Sequence, residues 1–128
     1  MLFRSAGYCG SATAGYRGSA TAGDGGSATA GDYGTATAGY RGSATAGDGG
    51  SATAGDCGSA TAGDYGTATA GYGGSATAGD YGTVCVKWWD GDRYLLVVGY
   101  VGEDGIEPNT PYRVVGGKLV AADEAVTA

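Results

Sequence analysis

Residues 34–49 read Gly-Thr-Ala-Thr-Ala-Gly-Tyr-Arg-Gly-Ser-Ala-Thr-Ala-Gly-Asp-Gly, which is two eight-residue units with small residues at the same places. Nine complete units of this kind follow one another from Gly10 to Tyr81 without an insertion, and the frame continues into Gly82 and Thr83. A strict period is typical of a repeat architecture, in which each unit contacts only its neighbours. A flexible Gly/Ser/Ala-rich linker is the alternative interpretation, but a linker does not require a constant register.

Each unit has the pattern of one short strand followed by one corner. In Ser-Ala-Thr-Ala the hydroxyl side chains alternate with alanines, as in a β-strand with two different faces. The Gly-(Asp/Tyr)-x-Gly segment that follows indicates a turn, because glycine accepts positive φ and Asp can accept hydrogen bonds from turn amides. Two units would therefore make a flat two-sided coil of 16 residues, whereas three would make a triangular coil of 24.

Alanine as the inward residue favours the two-sided coil, because a triangular tube lined only by methyl groups would be hollow. The threonines agree: Thr35–Thr37, Thr67–Thr69 and Thr83 all fall in even-numbered units, so a 16-residue coil places them on one face. The near-identity of residues 16–39 and 40–63 fits the longer period, but gene duplication also explains it. We predict an all-β fold, a two-sided β-solenoid of 16-residue coils with a small antiparallel β cap at its C-terminal end.

Large side chains are concentrated after residue 83, where both Trp and both Pro occur. The pattern predicts strands at 84–89, 94–101, 112–115 and 118–121, joined by turns at 90–92 and 116–117 and a loop at 102–111. A bare solenoid end exposes unpaired strand edges, so caps are expected at both ends. The predicted organisation is an N-terminal cap with a partial repeat (1–9), the solenoid (10–86), a cap module (87–121) and a flexible tail (122–128). Leu2 and Phe3 would plug the first coil.

Stacking of 16-residue coils aligns the corner residues in two columns. One column contains Asp32, Asp48, Asp64 and Asp80, and in the other Tyr8, Asp24, Tyr40, Asp56 and Tyr72 alternate. Like charges ~4.8 Å apart repel, so each aspartate is expected to be exposed and bonded to turn amides. A Ca²⁺ site is the alternative, but one Asp per coil supplies few of the roughly six to eight oxygen ligands that Ca²⁺ takes. Tyr65 and Tyr81 are expected to stack, and stacked tyrosines are also suited to a sugar or a partner protein.

The composition argues against several classes of function. A formal charge of −6 with only 7 Lys+Arg disfavours nucleic-acid binding and anionic membranes. The longest apolar run, residues 94–98, is far shorter than a bilayer span. The three cysteines, Cys9, Cys57 and Cys85, form no Cys-x-x-Cys pair and there is no histidine, so no metal site, cofactor or disulfide framework is expected. Free thiols fit a reducing compartment, which makes the cytoplasm the default location, with association with a virion as the alternative.

The segment Ala14-Gly15-Tyr16-Arg17-Gly18-Ser19-Ala20-Thr21 has the length and rhythm of the tandem units of bacterial ice-nucleation proteins, which contain Ala-Gly-Tyr-Gly-Ser-Thr-x-Thr. Residues 5–86 resemble that family, in which outward Thr-x-Thr rows on a solenoid order water into an ice-like lattice. The resemblance implies this role for a row of threonines, completed by other hydroxyl residues and by Thr83. The candidate binding face is Ser19, Thr21, Thr35, Thr37, Ser51, Thr53, Thr67, Thr69 and Thr83.

Residues 98–114, from Val98-Gly99-Tyr100-Val101-Gly102 to Pro111-Tyr112-Arg113-Val114, look like the C-terminal module of uncharacterised phage and bacterial proteins that also carry Ser/Ala/Thr/Gly repeats. This resemblance implies a phage or bacterial origin and a module that naturally follows such repeats. It brings no activity with it.

Catalysis requires a nucleophile, a base or a metal in a concave pocket, and here the Gly-x-x-Gly spacings recur in every unit as turns. We therefore expect no catalytic residues and a structural or interaction role. The expected partner is a protein, or a second copy bound through the flat faces or the solenoid end. Ice binding of the antifreeze kind is the alternative.

Overall fold

A computed structural model of the chain describes the backbone of residues 3–6 and all atoms of residues 10–103 and 106–121. These residues form two seven-stranded sheets that face each other. Sheet A contains β1 (Phe3–Ala6), β3 (Ser19–Ala22), β5 (Thr35–Thr37), β7 (Ser51–Thr53), β9 (Thr67–Ala70), β11 (Thr83–Trp89) and β12 (Tyr94–Tyr100). Sheet B contains β2 (Ser11–Thr13), β4 (Ser27–Thr29), β6 (Ser43–Thr45), β8 (Ser59–Thr61), β10 (Ser75–Thr77), β13 (Tyr112–Val115) and β14 (Lys118–Ala121).

Successive coils are stacked in parallel with a register of 16 residues. Ser19 pairs with Thr35 and Thr35 pairs with Ser51 in sheet A, and sheet B has the same offset. The predicted two-sided solenoid is confirmed. The threonine-rich strands β5, β9 and β11 all lie in sheet A, as the 16-residue coil requires.

The core of the solenoid consists of alanine methyl groups from both sheets. Ala36, Ala52 and Ala68 in the middle of sheet A are completely buried, and their counterparts in sheet B, such as Ala44 and Ala60, are 1% exposed. The hydroxyl residues on either side of each of these alanines lie on the outer faces. The predicted alternation, with Ala inward and Ser/Thr outward, is confirmed.

The glycines that open each unit are required by close packing and not by positive φ, which corrects one expectation. A Cβ atom on Gly50 would lie 2.7 Å from the carbonyl oxygen of Gly34 and 2.9 Å from the Cβ of Ala46. Positive φ falls instead on the residue just before the opening glycine. That position is glycine at 25, 49 and 73, but it is Arg17, Tyr33, Arg41, Cys57, Tyr65 and Tyr81 elsewhere.

The C-terminal strands extend both sheets as antiparallel hairpins. β11 continues from its parallel pairing with β9 into a hairpin with β12, and β13 pairs antiparallel with β10 and with β14. The four predicted strands are present, although β11 begins one residue earlier, at Thr83, and β12 ends one residue earlier, at Tyr100. Asp90 stabilises the first hairpin turn, since its Oδ1 accepts hydrogen bonds from the amides of Asp92 (2.8 Å) and Arg93 (2.9 Å).

Larger side chains close the C-terminal end of the alanine core. Val84 and Val86 continue the inward rows of sheet A and are the largest fully buried side chains among the described residues. Ile106 and Tyr112 lie in the same cluster, and the Tyr112 hydroxyl accepts a hydrogen bond from the Glu107 amide (2.7 Å). The expected C-terminal cap is therefore a direct continuation of the core.

Several expectations fall on residues outside the described part of the chain. These are Leu2, Tyr8, Cys9, the side chain of Phe3 and the tail 122–128. Among the described residues there is no helix of the length and apolar character that crossing a membrane requires.

Candidate functional site

The outer face of sheet A carries a regular grid of hydroxyl groups on β3, β5, β7, β9 and the start of β11. Neighbouring strands are ~4.8 Å apart, and the two outward residues of one strand are ~7 Å apart. All nine residues of the candidate binding face lie on this grid, which we call the sheet A array: Ser19, Thr21, Thr35, Thr37, Ser51, Thr53, Thr67, Thr69 and Thr83.

The outer face of sheet B has the same geometry but different chemistry. Each solenoid strand there reads Ser-Ala-Thr, so one of its two outward columns contains only serine. Within that column the Ser59 and Ser75 hydroxyls form a hydrogen bond of 3.4 Å. Threonine in both columns is found only in sheet A, which distinguishes the two faces.

Cys85 occupies the position after Thr69 in one column of the sheet A array, since the two residues are register partners. Its thiol is buried, and burial raises the pKa of Cys85 above its usual value, while a hydrogen bond with the Thr69 side chain acts in the opposite direction. The thiol therefore stays protonated and uncharged at neutral pH. In this column of the sheet A array, the row of hydroxyl groups therefore ends at Thr69. Among the described residues, Cys57 at a corner is the exposed free thiol.

The aspartate columns have a structural task between coils. Asp48 Oδ1 accepts a hydrogen bond of 2.9 Å from the Asp64 amide, and Asp64 Oδ1 does the same for Asp80. In the second column Asp24 and Asp56 bond the amides of the tyrosines one coil later. The predicted alignment is confirmed, with two corrections: the bonded amide belongs to the next coil and not to the same turn, and Asp64 is half-buried and not exposed. The carboxylates of Asp24, Asp32, Asp48, Asp56 and Asp64 thus each satisfy a corner amide of the next coil.

Two substitutions of Asp48 distinguish the contribution of its hydrogen bond to stability from that of its charge. Asp48→Ala removes the acceptor for the Asp64 amide and is expected to lower the free energy of unfolding by about 1 kcal/mol. Asp48→Asn retains an acceptor oxygen and removes one of the four successive like charges in its column, so its stability should equal or exceed that of the parent at low salt. Urea unfolding of both variants measures the difference. Equal destabilisation by Asn and Ala would show that the charge, and not the hydrogen bond, matters.

Aromatic side chains line the same corners. Tyr65 and Tyr81 stack with ring centroids 5.3 Å apart and an angle of 16° between the ring planes, as predicted. Arg17 lies at the N-terminal end of the same column of corner residues. Its guanidinium is 5.4 Å from the centre of the Tyr16 ring and 5.8 Å from that of Tyr33. These contacts cover corner backbone and hold residues that adopt positive φ.

An exposed apolar row on β12 was not identified from the sequence. The row, which we call the β12 row, is Tyr94, Leu96, Val98 and Tyr100. Trp89 packs edge-on against Tyr94 beside it, with centroids 4.9 Å apart. The signal was present: in residues 94–100 every residue is apolar or glycine, so the strand lacks the polar alternation of a sheet with one solvated face.

Within the described ranges no group of three or more Cys, Asp or Glu side chains is placed to hold a metal ion. Comparison with protein-family models, with curated proteins and with solved structures finds no match.

Proposed function

We propose that this chain is a non-catalytic structural or interaction protein that uses the flat outer faces of its solenoid to contact a partner that is itself repetitive. The observation behind this proposal is that the same two hydroxyl positions recur on every strand from β2 to β10 at a constant spacing. A partner with a matching repeat would be contacted many times, so that individually weak contacts add together.

Rigidity supports such a role. The ladder of backbone hydrogen bonds continues from the strands through the corners, where for example the Tyr33 amide donates to the Asp48 carbonyl (2.8 Å) and the Ala38 amide to the Thr53 carbonyl (2.8 Å). A surface that is already ordered loses little conformational entropy on binding. Because the coils are nearly identical, no position on the faces is set apart in the way that a reaction centre requires.

Ordered water at the surface of ice is the specific partner that the sheet A array favours. Threonine fills both outward columns of β5 and β9 in sheet A, while sheet B has serine in one column throughout the solenoid. A β-branched threonine holds its methyl and hydroxyl groups in fewer rotamers than serine, so its hydroxyl is better fixed before binding. Thr37 and Thr69 are in addition half-buried between their neighbours.

Adsorption to ice tests this proposal through two matched triple variants. In the first variant, Thr37, Thr53 and Thr69 are changed to Lys, which places three long cations on the sheet A array. This variant should lose ice shaping and thermal hysteresis. Thr29, Thr45 and Thr61 changed to Lys place the same charges on sheet B and should leave most of the activity. Like-charge repulsion between stacked lysines is similar in both variants. Because Thr37 and Thr69 are half-buried and Thr29, Thr45 and Thr61 are exposed, circular dichroism must verify that both variants remain folded, so that a difference reports the face and not stability.

Retention on crystalline cellulose separates the general proposal from the ice candidate. Binding to cellulose without ice shaping, if lost with the sheet A triple variant, would support a repetitive partner and reject ice. Equal loss of ice activity in both triple variants would contradict a single working face. If neither ice nor cellulose retains the protein, this result would contradict the proposal that the outer faces of the solenoid are its binding surface.

A further inference from the structure

The free edge of β12 is the longest edge among the strands that the structure describes. Sheet A ends at β1 and β12, and sheet B ends at β2 and β14. β12 spans seven residues without a charge or a proline, whereas β1 contains Arg4 and β14 contains Lys118. Charged residues and prolines usually protect edge strands from pairing with another chain. β12 lacks that protection.

The outward side chains of this edge strand are apolar and exposed. In the β12 row, Tyr94 is 55% exposed, Leu96 52%, Val98 43% and Tyr100 56%. The solenoid strands in the same sheet present Ser and Thr to solvent instead. The apolar outer surface is thus continuous along β12 and borders an unpaired backbone edge, a combination typical of a protein interface.

The backbone groups of the β12 row also face the free edge. The Val101 amide donates to the Gly82 carbonyl (3.0 Å), while the Thr83 amide donates to the Gly66 carbonyl (2.9 Å), on the side of β9. In an antiparallel pair, residues that bond to one neighbour alternate with residues that bond to the other. The odd-numbered residues of β12 therefore bond to β11, and the N–H and C=O groups of the β12 row point away from the sheet. At the end of the strand the Tyr100 carbonyl accepts a hydrogen bond from the Glu103 amide (3.0 Å).

We propose that β12 pairs antiparallel with β12 of a second copy, in a two-fold symmetric dimer centred on Val97. Edge-facing residues must pair with each other, and the register centred on Val97 is the one in which all four residues of the β12 row do so. Tyr94 then lies opposite the partner subunit's Tyr100, and Leu96 lies opposite the partner subunit's Val98. About six backbone hydrogen bonds join the chains, since the Tyr100 carbonyl is already bonded to the Glu103 amide of its own chain, and every cross-strand pair is apolar or Gly-containing.

The symmetry of this pairing makes it self-limiting and aligns the two solenoids. A two-fold interface uses the same patch on both copies, so it closes at the dimer. Because the pairing extends sheet A, the outer faces of sheet A in the two copies lie on the same side of a continuous sheet. The surface is separate from the sheet A array, so this inference does not depend on the partner proposed for the array.

Sedimentation equilibrium of the full chain tests the dimer. The mass should rise from 12.4 kDa towards twice that value with concentration. Val98→Lys should weaken the dimer at least about tenfold, since a desolvated cation would lie opposite an apolar side chain. Val115→Lys is the matched control, because Val115 is similarly exposed (50%) but lies on β13 in the other sheet. It should leave the dissociation constant unchanged.

Leu96→Lys provides a second variant with the same expected loss, and circular dichroism verifies that each variant remains folded. A chain that stays monomeric up to about 1 mM would overturn the proposal, as the dissociation constant would then lie above the value of a weak complex. A dimer that both lysine variants leave intact would overturn it as well.

A cysteine at the symmetry axis tests the register. In a Cys9→Ser, Cys57→Gly background, Val97→Cys places two thiols in a non-hydrogen-bonded pair with Cα atoms about 4.5 Å apart, which suits a disulfide. Leu95→Cys lies four residues from its own symmetry mate, about 14 Å away along the strand, and should not cross-link. Oxidation should therefore yield a covalent dimer with Val97→Cys alone. Cross-linking through Leu95→Cys instead would overturn this register.

Discussion

A chain that ends at Val86 should aggregate or fail to fold, because residues 87–121 close the alanine core. Val84 and Val86 are buried beneath the cap, and Val101, Ile106 and Tyr112 belong to the same cluster. Truncation exposes these valines and leaves the edges of β10 and β11 without their antiparallel partners. An open parallel edge beside an apolar surface favours association between chains. Size-exclusion chromatography and far-ultraviolet circular dichroism measure the outcome.

Deletion of one complete coil, residues 34–49, is the control for this truncation. It shortens the solenoid by one strand in each sheet but preserves the register and the cap, so that chain should remain folded and soluble. A soluble, monomeric, β-rich product from the truncation would contradict the expectation. The cap would then be an independent module and not a requirement of the solenoid.

Ala44→Leu is expected to be among the most damaging single substitutions in the solenoid. Ala44 is 1% exposed and faces the opposite sheet, where the other inward residues are also alanines. Added side-chain volume must push the two sheets apart, and overpacking of this kind typically costs ~1–3 kcal/mol. Because each coil is hydrogen-bonded to both neighbours, the displacement would extend along the stack, so we expect the upper end of this range or unfolding.

Ser43→Thr supplies the contrast, since Ser43 is the exposed neighbour of Ala44 on the same strand. An outward threonine is already present at the equivalent position of β5, so this change should be nearly silent. Ala60→Leu, one coil later, should reproduce the effect of Ala44→Leu. Urea unfolding midpoints compare the three variants. A tolerated Ala44→Leu together with a damaging Ser43→Thr would contradict the inward position of the alanines.

The sequence was sufficient to predict the solenoid because period and alternation are properties of every unit. The inward alanines allow only two sheets in contact, and the threonine-rich units report which strands share a sheet. The alignment of Asp48 with Asp64 follows from the same register. Each of these inferences depends on a pattern repeated many times, so a single exception does not change it.

Features that depend on the three-dimensional path of the corners, or on the order of strands at the end of a sheet, were harder to predict. Positive φ at Arg17 and Cys57 is set by the geometry of the corner, and residue preferences alone point to the neighbouring glycines instead. The free edge of β12 results from the order of strands at the end of the sheet, which a strand pattern does not contain. The Asp48 carboxylate accepts a hydrogen bond from the next coil, and this could be predicted only with knowledge of the three-dimensional path of the corner.

The pairing of each strand with the strand two units later has a consequence for how the gene can change in length. Gain or loss of a single unit retains strand and corner chemistry, but it transfers every later strand to the opposite sheet. Residues 16–39 and 40–63, which are nearly identical, span three units each, so Tyr16 lies in a corner that leads into sheet A and Tyr40 in one that leads into sheet B. Slippage during replication by any number of whole units therefore retains the strand and corner pattern, while only steps of an even number of units preserve which side carries the threonines.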